Sequence, residues 1–387
     1  MEKKYNIPYG RQSLDKIDKF EVIKSLNQKF ITTGKYVEKF EKALKEKFGS
    51  KFAYSCSSGT AGLHLAFMSI NLKKGDVVLM PSINFISSYR TADLLGAKIF
   101  LVDVDGNNGQ MTPENIYKCI KENNLSKIKA VVSMYLGGYV ENNIDLYYLK
   151  KKFGFYLIED ACHALGSQYK YKKKYFSIGS CMHSDVCVFS FHPVKTITTG
   201  EGGAVLTRNK KIASEIKKLR NHGILRGKNY WNYDINRLGF NYRLSDINCA
   251  LGLAQLKKLK LFSQKRKKIF DFYIKRLYSY KNYFFFPQAK NKRNLYHLFL
   301  IGLNFKKIKK NKNSLITFLN KKGVFPQFHY KPIFEFSFFK KKTRKSFPGT
   351  MQYYKNFLSL PIFYNLNENQ QLYIIKSIIN YVKTNKK

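Results

Sequence analysis

The chain has 387 residues, with 70 Lys and Arg against 25 Asp and Glu, and a formal net charge of +45. Hydrophobic residues make up 44% and aromatic residues 16%, which excludes a disordered chain and favours two structural units or one large α/β domain with an appendage. The charge alone indicates an anionic partner, but lysines occur throughout and no nucleic-acid-binding module accompanies them, so we expect no specific nucleic-acid partner.

The N-terminal segment and the cysteines indicate where in the cell the protein is found. The first 16 residues lack the apolar core of a signal peptide, and no apolar run approaches the length of a membrane span. The six cysteines contain no CxxC pair and indicate reduced thiols. Cys181, His183 and Cys187 lack a fourth ligand and the usual short zinc spacing. We therefore expect a soluble cytoplasmic protein with no membrane association and no metal.

Residues 50–207 predict the main sheet. Short apolar runs alternate there with helix-like stretches, a pattern typical of a mostly parallel sheet with crossover helices. The seven strand candidates are KFAYS, VVLMP, KIFLV, KAVVSMY, FYLIED, VCVFSF and GAVLT. Helical spacing appears in TAGLHLAFMSI and in TPENIYKCIKE, where Thr112 is in an N-cap position ahead of Pro113.

The remainder predicts a smaller α+β unit. After a polar stretch at 221–245, the segment LSDINCALGLAQLKKLKLFSQKRKKIFDFYIKRL indicates one long helix. YHLFLIGL predicts a strand, SLITFLNKKG a helix that ends at Gly323, and VFPQFHY another strand. We expect an N-terminal arm and large domain over 1–245, then a linking helix and small domain over 246–387.

The segment YSCSSGTAGLH, residues 54–64, is a candidate phosphate site. A predicted strand runs into a small-residue turn and then a helix, so Gly59, Thr60 and their neighbours can present N–H groups and hydroxyls to an anion. No GK[ST] follows, which excludes a Walker P-loop. Taken alone, a simple turn explains the segment equally well.

A second candidate, FYLIEDACHALGS, ends an apolar strand on Glu159 and Asp160, with His163 three residues later. A carboxylate at a strand's carboxyl end can serve a cofactor. Taken alone, a helix-capping Asp beside a packed His is the better explanation.

The third, VCVFSFHPVKTITTGEGG, carries Ser190 at a strand end and Lys195 in the turn that follows. A nucleophilic lysine must lose a proton from an ordinary pKa of about 10.4, which requires desolvation or a nearby positive charge. Most lysines are solvated surface charges, so Lys195 alone does not indicate catalysis. Together, however, a phosphate cradle, a strand-end acid and a lysine are what a pyridoxal-phosphate enzyme needs, because the lysine forms the Schiff base and the acid pairs with the pyridinium nitrogen.

At this point the chain resembles a known family over nearly its whole length. The elements SSGTAGLHLA, PSINF, EDACHALGS, FSFHPVKTITTGEGG and GFNYRLSDINCALGLAQL are similar to those of the DegT-type sugar aminotransferases, which are fold-type I pyridoxal-phosphate enzymes. The resemblance implies that Lys195 holds the cofactor, Asp160 faces its ring nitrogen and Phe85 stacks on its ring.

The resemblance also assigns the phosphate end of the cofactor. Gly59 and Thr60, with Ser190, would bind the phosphate, and Asn241 would reach it from the neighbouring subunit of a homodimer with shared active sites. His163 stands where many relatives carry a glutamine that contacts the cofactor.

Candidates for binding the sugar nucleotide lie in two further segments. YGRQ contains Tyr9, Arg11 and Gln12, and QFHYKP contains His329 and Tyr330. Each of them could instead be a packed aromatic or a solvated polar residue.

The resemblance implies transfer of the amino group of L-glutamate to C4 of a UDP-linked 4-keto-6-deoxy-HexNAc sugar, as in the pseudaminic-acid branch of the family. Another nucleotide-linked 3- or 4-keto sugar is the alternative substrate. The family's sugar dehydratases replace the Schiff-base lysine with histidine, so Lys195 argues against that branch. A basic nucleic-acid-binding protein without catalysis is the remote alternative.

Overall fold

A computed structural model describes residues 5–229, 231–287, 291, 293–339 and 347–384. The helices are α1 (Lys16–Leu26), α2 (Lys35–Phe48), α3 (Gly59–Ser69), α4 (Ile86–Leu94), α5 (Pro113–Glu122), α6 (Asn143–Phe153), α7 (Lys210–Leu219), α8 (Asp246–Lys257), α9 (Leu259–Leu277), α10 (Phe305–Ile308), α11 (Lys312–Lys321), α12 (Pro348–Asn356) and α13 (Glu368–Lys383). The strands are β1 (Phe52–Cys56), β2 (Val77–Pro81), β3 (Lys98–Val102), β4 (Ala130–Met134), β5 (Tyr156–Asp160), β6 (Gln168–Tyr171), β7 (Lys174–Ser177), β8 (Val186–Ser190), β9 (Gly203–Thr207), β10 (Ile224–Arg226), β11 (Tyr233–Ile235), β12 (Phe284–Phe285), β13 (Phe299–Leu303) and β14 (Phe357–Leu360).

The large sheet confirms the predicted α/β class. Its seven strands have the order β1-β9-β8-β5-β4-β2-β3, and each matches one predicted strand. Strands β3, β2, β4, β5 and β8 are parallel, whereas β9 runs antiparallel to both β8 and β1. Strands β1, β2, β4, β5 and β8 therefore all end at one edge, where ligands collect in open α/β sheets.

Helices cover both faces of this sheet. All five residues of β4 are buried, as expected of a central strand packed on two sides. Helix α3 is buried along nearly its whole length and packs between the sheet and α7. The predicted start of α5 is confirmed, because the Thr112 hydroxyl accepts the Asn115 N–H at 3.3 Å and Pro113 occupies the first turn.

The C-terminal unit is a small three-stranded sheet of β12, β13 and β14 packed against helices. Its buried cluster includes Phe299 and Leu360 from the sheet, Tyr273 from α9 and Ile378 from α13. In the described part of the chain, no helix is both long and apolar enough to cross a bilayer.

Two predictions in this region are wrong. The expected long helix is broken at Lys258 into α8 and α9, and the Lys258 ammonium makes ion pairs there with Asp15 at 2.8 Å and Asp18 at 2.5 Å. The segment 324–330 is not a strand but forms only isolated bridges, from Val324 to Ile7 and from Gln327 to Ser359. Pro326 lacks the N–H that a regular ladder needs, which limits pairing there.

Candidate active site

A cavity of about 470 Å³ lies at the carboxyl edge of the large sheet. Its walls come from residues at or just beyond the ends of β1, β2, β4, β5 and β8, and from segment 327–330 of the C-terminal unit. The predicted residues that line it are Tyr9, Gly59, Thr60, Phe85, Asp160, His163, Ser190, Lys195, His329 and Tyr330.

One end of the cavity is the start of α3. Ser58 caps this helix, and its hydroxyl accepts the Ala61 N–H at 3.0 Å. The first-turn N–H groups of a helix have no partner within the helix, so Gly59 and Thr60 can offer theirs to an anion. A Cβ at Gly59 would lie 2.9 Å from Ser190 Cβ and 3.2 Å from Cys162 Sγ. Only glycine leaves this space open.

The carboxylate of Asp160 is buried and held by two donors. Its Oδ2 accepts the Ser88 hydroxyl at 2.9 Å, and its Oδ1 accepts the Cys162 N–H at 3.4 Å. The Asn84 side-chain amide donates to Ser88 at 3.0 Å and so fixes the direction of that hydroxyl. Asp160 therefore presents a carboxyl group of fixed orientation to the cavity.

Lys195 enters the cavity from the turn that follows β8. Its backbone N–H donates to the His192 carbonyl at 2.8 Å, which shapes this turn. Burial lowers the pKa of the Lys195 ammonium, and the nearby Cys162 and Asp160 oppose that change. Lys195 therefore loses its proton more easily than an exposed lysine and more readily forms the neutral, nucleophilic amine.

Phe85 supplies a flat apolar surface. It is the residue before α4, and 52% of its surface is exposed although it is aromatic. Its ring centroid lies 5.8 Å from that of Tyr330. An exposed aromatic face in a cavity suits a planar ligand ring.

The opposite wall contains three buried histidines. The ring centroids of His163 and His297 lie 4.4 Å apart, and those of His163 and His329 lie 5.9 Å apart. Burial lowers the pKa of all three, that of His329 to about 3, and the Lys195 charge adds to the effect. These imidazoles are therefore neutral at pH 7 and offer hydrogen bonds without charge.

Three predicted residues lie elsewhere. Arg11 and Gln12 line a second, much smaller cavity that also touches Lys195 and the buried Arg266. Asn241 is exposed and forms an isolated antiparallel bridge with Asn221, and the described lining of the main cavity does not include it.

Sequence reasoning missed several residues of the site. Ser88 lies one helical turn after Phe85, so the position itself was a usable signal. Cys162 stands between two predicted residues and lines the cavity. Phe328 directly precedes the predicted His329 in QFHYKP, so its neighbour was a usable signal, whereas His297 gave no local signal and lines the cavity only through packing of the C-terminal unit.

The three residues considered as zinc ligands make other contacts in the structure. Cys181 and Cys187 are buried free thiols, and His183 Nδ1 lies 2.7 Å from the Tyr169 hydroxyl. Within the described ranges, no group of three or more His, Cys, Asp or Glu could hold a metal ion.

Comparison with known proteins covers almost the entire chain. The family model described as "DegT/DnrJ/EryC1/StrS aminotransferase family" matches residues 12–379. The UDP-4-amino-4,6-dideoxy-N-acetyl-beta-L-altrosamine transaminase of Campylobacter jejuni subsp. jejuni serotype O:23/36 (strain 81-176) is 37% identical over 383 residues, which span 98% of this chain and 99% of that protein.

Solved structures agree with this match. Helicobacter pylori PseC, described as an aminotransferase involved in the biosynthesis of pseudoaminic acid, superposes with a TM-score of 0.88 at 30% identity, covering 98% of this chain and 100% of that one. The PLP-form of the putative sugar aminotransferase Spr1654 from Streptococcus pneumoniae has the same fold, with a TM-score of 0.88 at 24% identity over 99% of this chain and 100% of that one.

Proposed function

The chain belongs to the DegT/DnrJ/EryC1/StrS aminotransferase family and is a pyridoxal-phosphate-dependent sugar aminotransferase, and on that premise we propose its specific reaction. We propose that it transfers the amino group of L-glutamate to C4 of a UDP-linked 4-keto-6-deoxy-HexNAc sugar in pseudaminic acid biosynthesis. Support for the acceptor comes from the 37% identity to a relative whose name gives a UDP-linked 4-amino-4,6-dideoxy sugar, which is the product of amination at C4 of the proposed 4-keto sugar.

The chemistry of the cavity fits pyridoxal phosphate. Gly59 and Thr60 at the start of α3, with Ser190, would hold the phosphate, since a helix N-terminus and a hydroxyl are donors suited to an anion. Phe85 would cover the ring, and Asp160 would hold the proton of the ring nitrogen. The open space beside Gly59 supports this placement, because a Cβ would fill it.

The proposed chemistry assigns Lys195 two tasks. When bound, pyridoxal phosphate supplies an electron sink for the negative charge left on the donor's α-carbon after its proton is removed. Lys195 would anchor the cofactor until the amino group of the donor displaces it, and the freed Lys195 amine would then take and return this proton, a role for which partial desolvation of the ammonium prepares it. Asp160, held by Ser88, would accept the hydrogen bond of the protonated ring nitrogen.

The sugar acceptor would lie against the histidine wall. His329 and the partly buried Tyr330 offer hydrogen-bonding groups with no formal charge at pH 7, which suit the hydroxyl, amide and keto groups of an uncharged sugar ring, and the neutral His163 holds the Tyr330 hydroxyl in place. The observation that carries the proposal is this neutral wall in the same cavity as Lys195 and Asp160.

A panel assay tests the proposed substrate. The purified protein, loaded with pyridoxal phosphate, is incubated with L-glutamate and with UDP-, dTDP- or GDP-linked 3-keto and 4-keto sugars, and the products are identified by mass spectrometry and NMR. We expect amination at C4 of the UDP-linked 4-keto sugar and formation of 2-oxoglutarate. A clear preference for another nucleotide or for a 3-keto sugar would replace the proposed substrate with the alternative.

We propose a homodimer in which each subunit completes the other's site. Large apolar side chains are exposed on α1, including Phe20 at 61% and Ile23 at 60%, and around the β10–β11 hairpin, including Trp231 at 66% and Leu238 at 86%. Such a surface is typical of a protein interface. Asn241 follows this hairpin and would reach the cofactor phosphate of the partner.

We also propose a cytoplasmic location, because sugar nucleotides and glutamate are both cytoplasmic metabolites. Fractionation of cells with antibody detection tests it. Recovery of the protein mainly with membranes would contradict it.

A further inference from the structure

Helix α12 is fixed at its N-terminal end by the large sheet. Asp103 follows β3, and its carboxylate accepts the N–H groups of Gly349 at 3.0 Å and Thr350 at 2.7 Å, as well as the Thr350 hydroxyl at 2.6 Å. A carboxylate at a helix N-terminus satisfies otherwise unpaired N–H groups and complements the helix dipole. The Thr350 hydroxyl also lies 2.5 Å from that of Ser82, which begins the segment leading to Phe85.

The other end of α12 is held by a buried lysine. Lys312, the first residue of α11, is 9% exposed, and its ammonium contacts the carbonyl oxygens of Tyr354 and, at 3.3 Å, Phe357. The ammonium lies 4.2 Å from the ring centroid of Phe328 and 4.3 Å from that of Tyr354. Burial lowers the pKa of the Lys312 ammonium to about 7, and no ion pair of the described residues includes it, so its charged form depends on these carbonyl oxygens and aromatic faces.

Helix α12 in turn holds the segment that forms the cavity's C-terminal wall. The Tyr353 hydroxyl donates to the His329 carbonyl at 2.9 Å, and the Phe328 ring packs over the Lys312 ammonium. Phe328, His329 and Tyr330 all line the cavity, whereas Lys312 and Asp103 do not. A shift of α12 would therefore move this wall while leaving Lys195 and Asp160 on the large sheet in place.

We propose that Lys312 and Asp103 are positioning residues that set the shape of the acceptor side of the cavity, acting through α12 on Phe328 and His329. This inference rests on the proposed function, because it assigns the 327–330 wall to the sugar nucleotide. A sugar nucleotide is much larger than glutamate and would contact more of the wall, so displacement of the wall would weaken its binding more than that of glutamate.

The reaction has a donor step with L-glutamate and an acceptor step with the sugar nucleotide, and measuring them separately shows which of the two a displaced wall affects. When the cofactor-loaded protein is mixed with L-glutamate alone, the change in cofactor absorbance measures the donor step. When the accepted sugar nucleotide is then added, the return of the original absorbance measures the acceptor step. We expect Lys312→Met to raise the acceptor KM by about 10-fold or more while the donor step changes by less than about 3-fold. Lys312→Arg, which keeps the charge, should recover most of this loss, and Asp103→Asn should act in the same direction as Lys312→Met.

Two further variants serve as a control and as an independent test. Lys310→Met removes an exposed charge two residues away and should leave both steps unchanged. Tyr353→Phe deletes only the hydrogen bond to His329, so it tests the same path even where Lys312→Met unfolds. A folded Lys312→Met or Tyr353→Phe protein with a normal acceptor KM, or with both steps slowed equally, overturns the inference. If the wild type does not aminate the UDP-linked sugar, the proposed substrate is refuted and the inference about Lys312 is not. The variants are then compared with the wild type on the panel sugar that the wild type accepts.

Discussion

The side chains of His163 and Tyr330 form a hydrogen bond of defined direction across the cavity wall. His163 Nδ1 accepts the Gly137 N–H at 3.3 Å, so the neutral imidazole carries its proton on Nε2. That nitrogen lies 3.0 Å from the Tyr330 oxygen, and Nε2–H therefore donates to it. The Tyr330 hydroxyl proton is left free to donate to a ligand in the cavity.

This direction predicts which substitutions His163 tolerates. His163→Leu removes the donor to Tyr330 and should lower kcat/KM for the acceptor by about 10-fold to 100-fold, as expected for loss of one buried hydrogen bond. His163→Gln retains an N–H donor and should keep most of the activity. Steady-state kinetics with the accepted sugar nucleotide check the pair, and equal losses in both variants would contradict a donor role.

Lys195→Ala should lower turnover by about 1,000-fold or more, because Lys195 is the one lysine among the described residues that line the cavity and is the proposed anchor and base. Circular dichroism should show an intact fold. Borohydride reduction of the wild type should attach the cofactor to the peptide that contains Lys195, as read by mass spectrometry. The matched control, Lys210→Ala on the exposed start of α7, should leave turnover unchanged. Cofactor attachment at another lysine would refute the assignment.

Gly59→Ala should weaken binding of pyridoxal phosphate by about 10-fold or more, because the new methyl group would lie 2.9 Å from Ser190 Cβ and fill the anion cradle. Absorbance titration measures the dissociation constant. The melting temperature of the cofactor-free variant separates this effect from unfolding. Wild-type affinity in the folded variant would remove Gly59 from the phosphate site.

Glu159 predicts a pH dependence of stability. Burial raises the pKa of its carboxyl from 4.5 to about 7, although the Tyr135 hydroxyl, which donates to it at 2.7 Å, opposes the shift. The folded state thus binds more protons than the unfolded state in this window, and this stabilisation is fully present below pH 4.5 and lost as pH rises through about 7. Its full size is on the order of 3 kcal/mol.

The Glu159→Gln variant cannot titrate at this position and should have a flatter stability profile between pH 5 and pH 8. Denaturant unfolding at several pH values gives the free energies to compare. Glu122→Gln, on the exposed end of α5, is the matched control and should follow the wild-type profile. Parallel profiles for Glu159→Gln and the wild type would contradict the prediction.

Shared active sites predict complementation between inactive subunits. Lys195→Ala and Asn241→Ala homodimers should each have little activity. Mixed heterodimers carry both defects in one site and leave the other site intact, so an equal mixture should recover about a quarter of wild-type activity. Light scattering confirms the dimer, and absence of recovery despite subunit exchange would place Asn241 in its own subunit's chemistry.

Much of the large unit could be predicted because its signals are local. Each strand of the main sheet is a short apolar run with turn residues at its ends, and α5 begins at Thr112 and Pro113 as expected. The turn with Gly59 and Thr60, the strand-end Asp160 and the turn with Lys195 also belong to motifs that are contiguous in the sequence. Parallel topology then places strand ends at one edge, which is why Gly59, Asp160 and Lys195 line one cavity.

The C-terminal unit was harder because its structure depends on distant contacts. Nothing local marks the break at Lys258, where the ammonium pairs with Asp15 and Asp18 from the N-terminal arm. Segment 324–330 has the composition of a strand, yet its backbone pairs at isolated points and its residues 327–330 line the cavity.

The sequence by itself determined the fold class, the family and the three motifs that supply residues to the cavity, because each rests on residues close together in the chain. Tertiary structure alone decided that Ser88 orients Asp160, that His297 and Phe328 join the cavity, and that Lys312 and Asp103 hold the two ends of α12. These relationships join residues far apart in sequence, and their hydrogen bonds and ring contacts exist only once the sheet and the C-terminal unit have packed together.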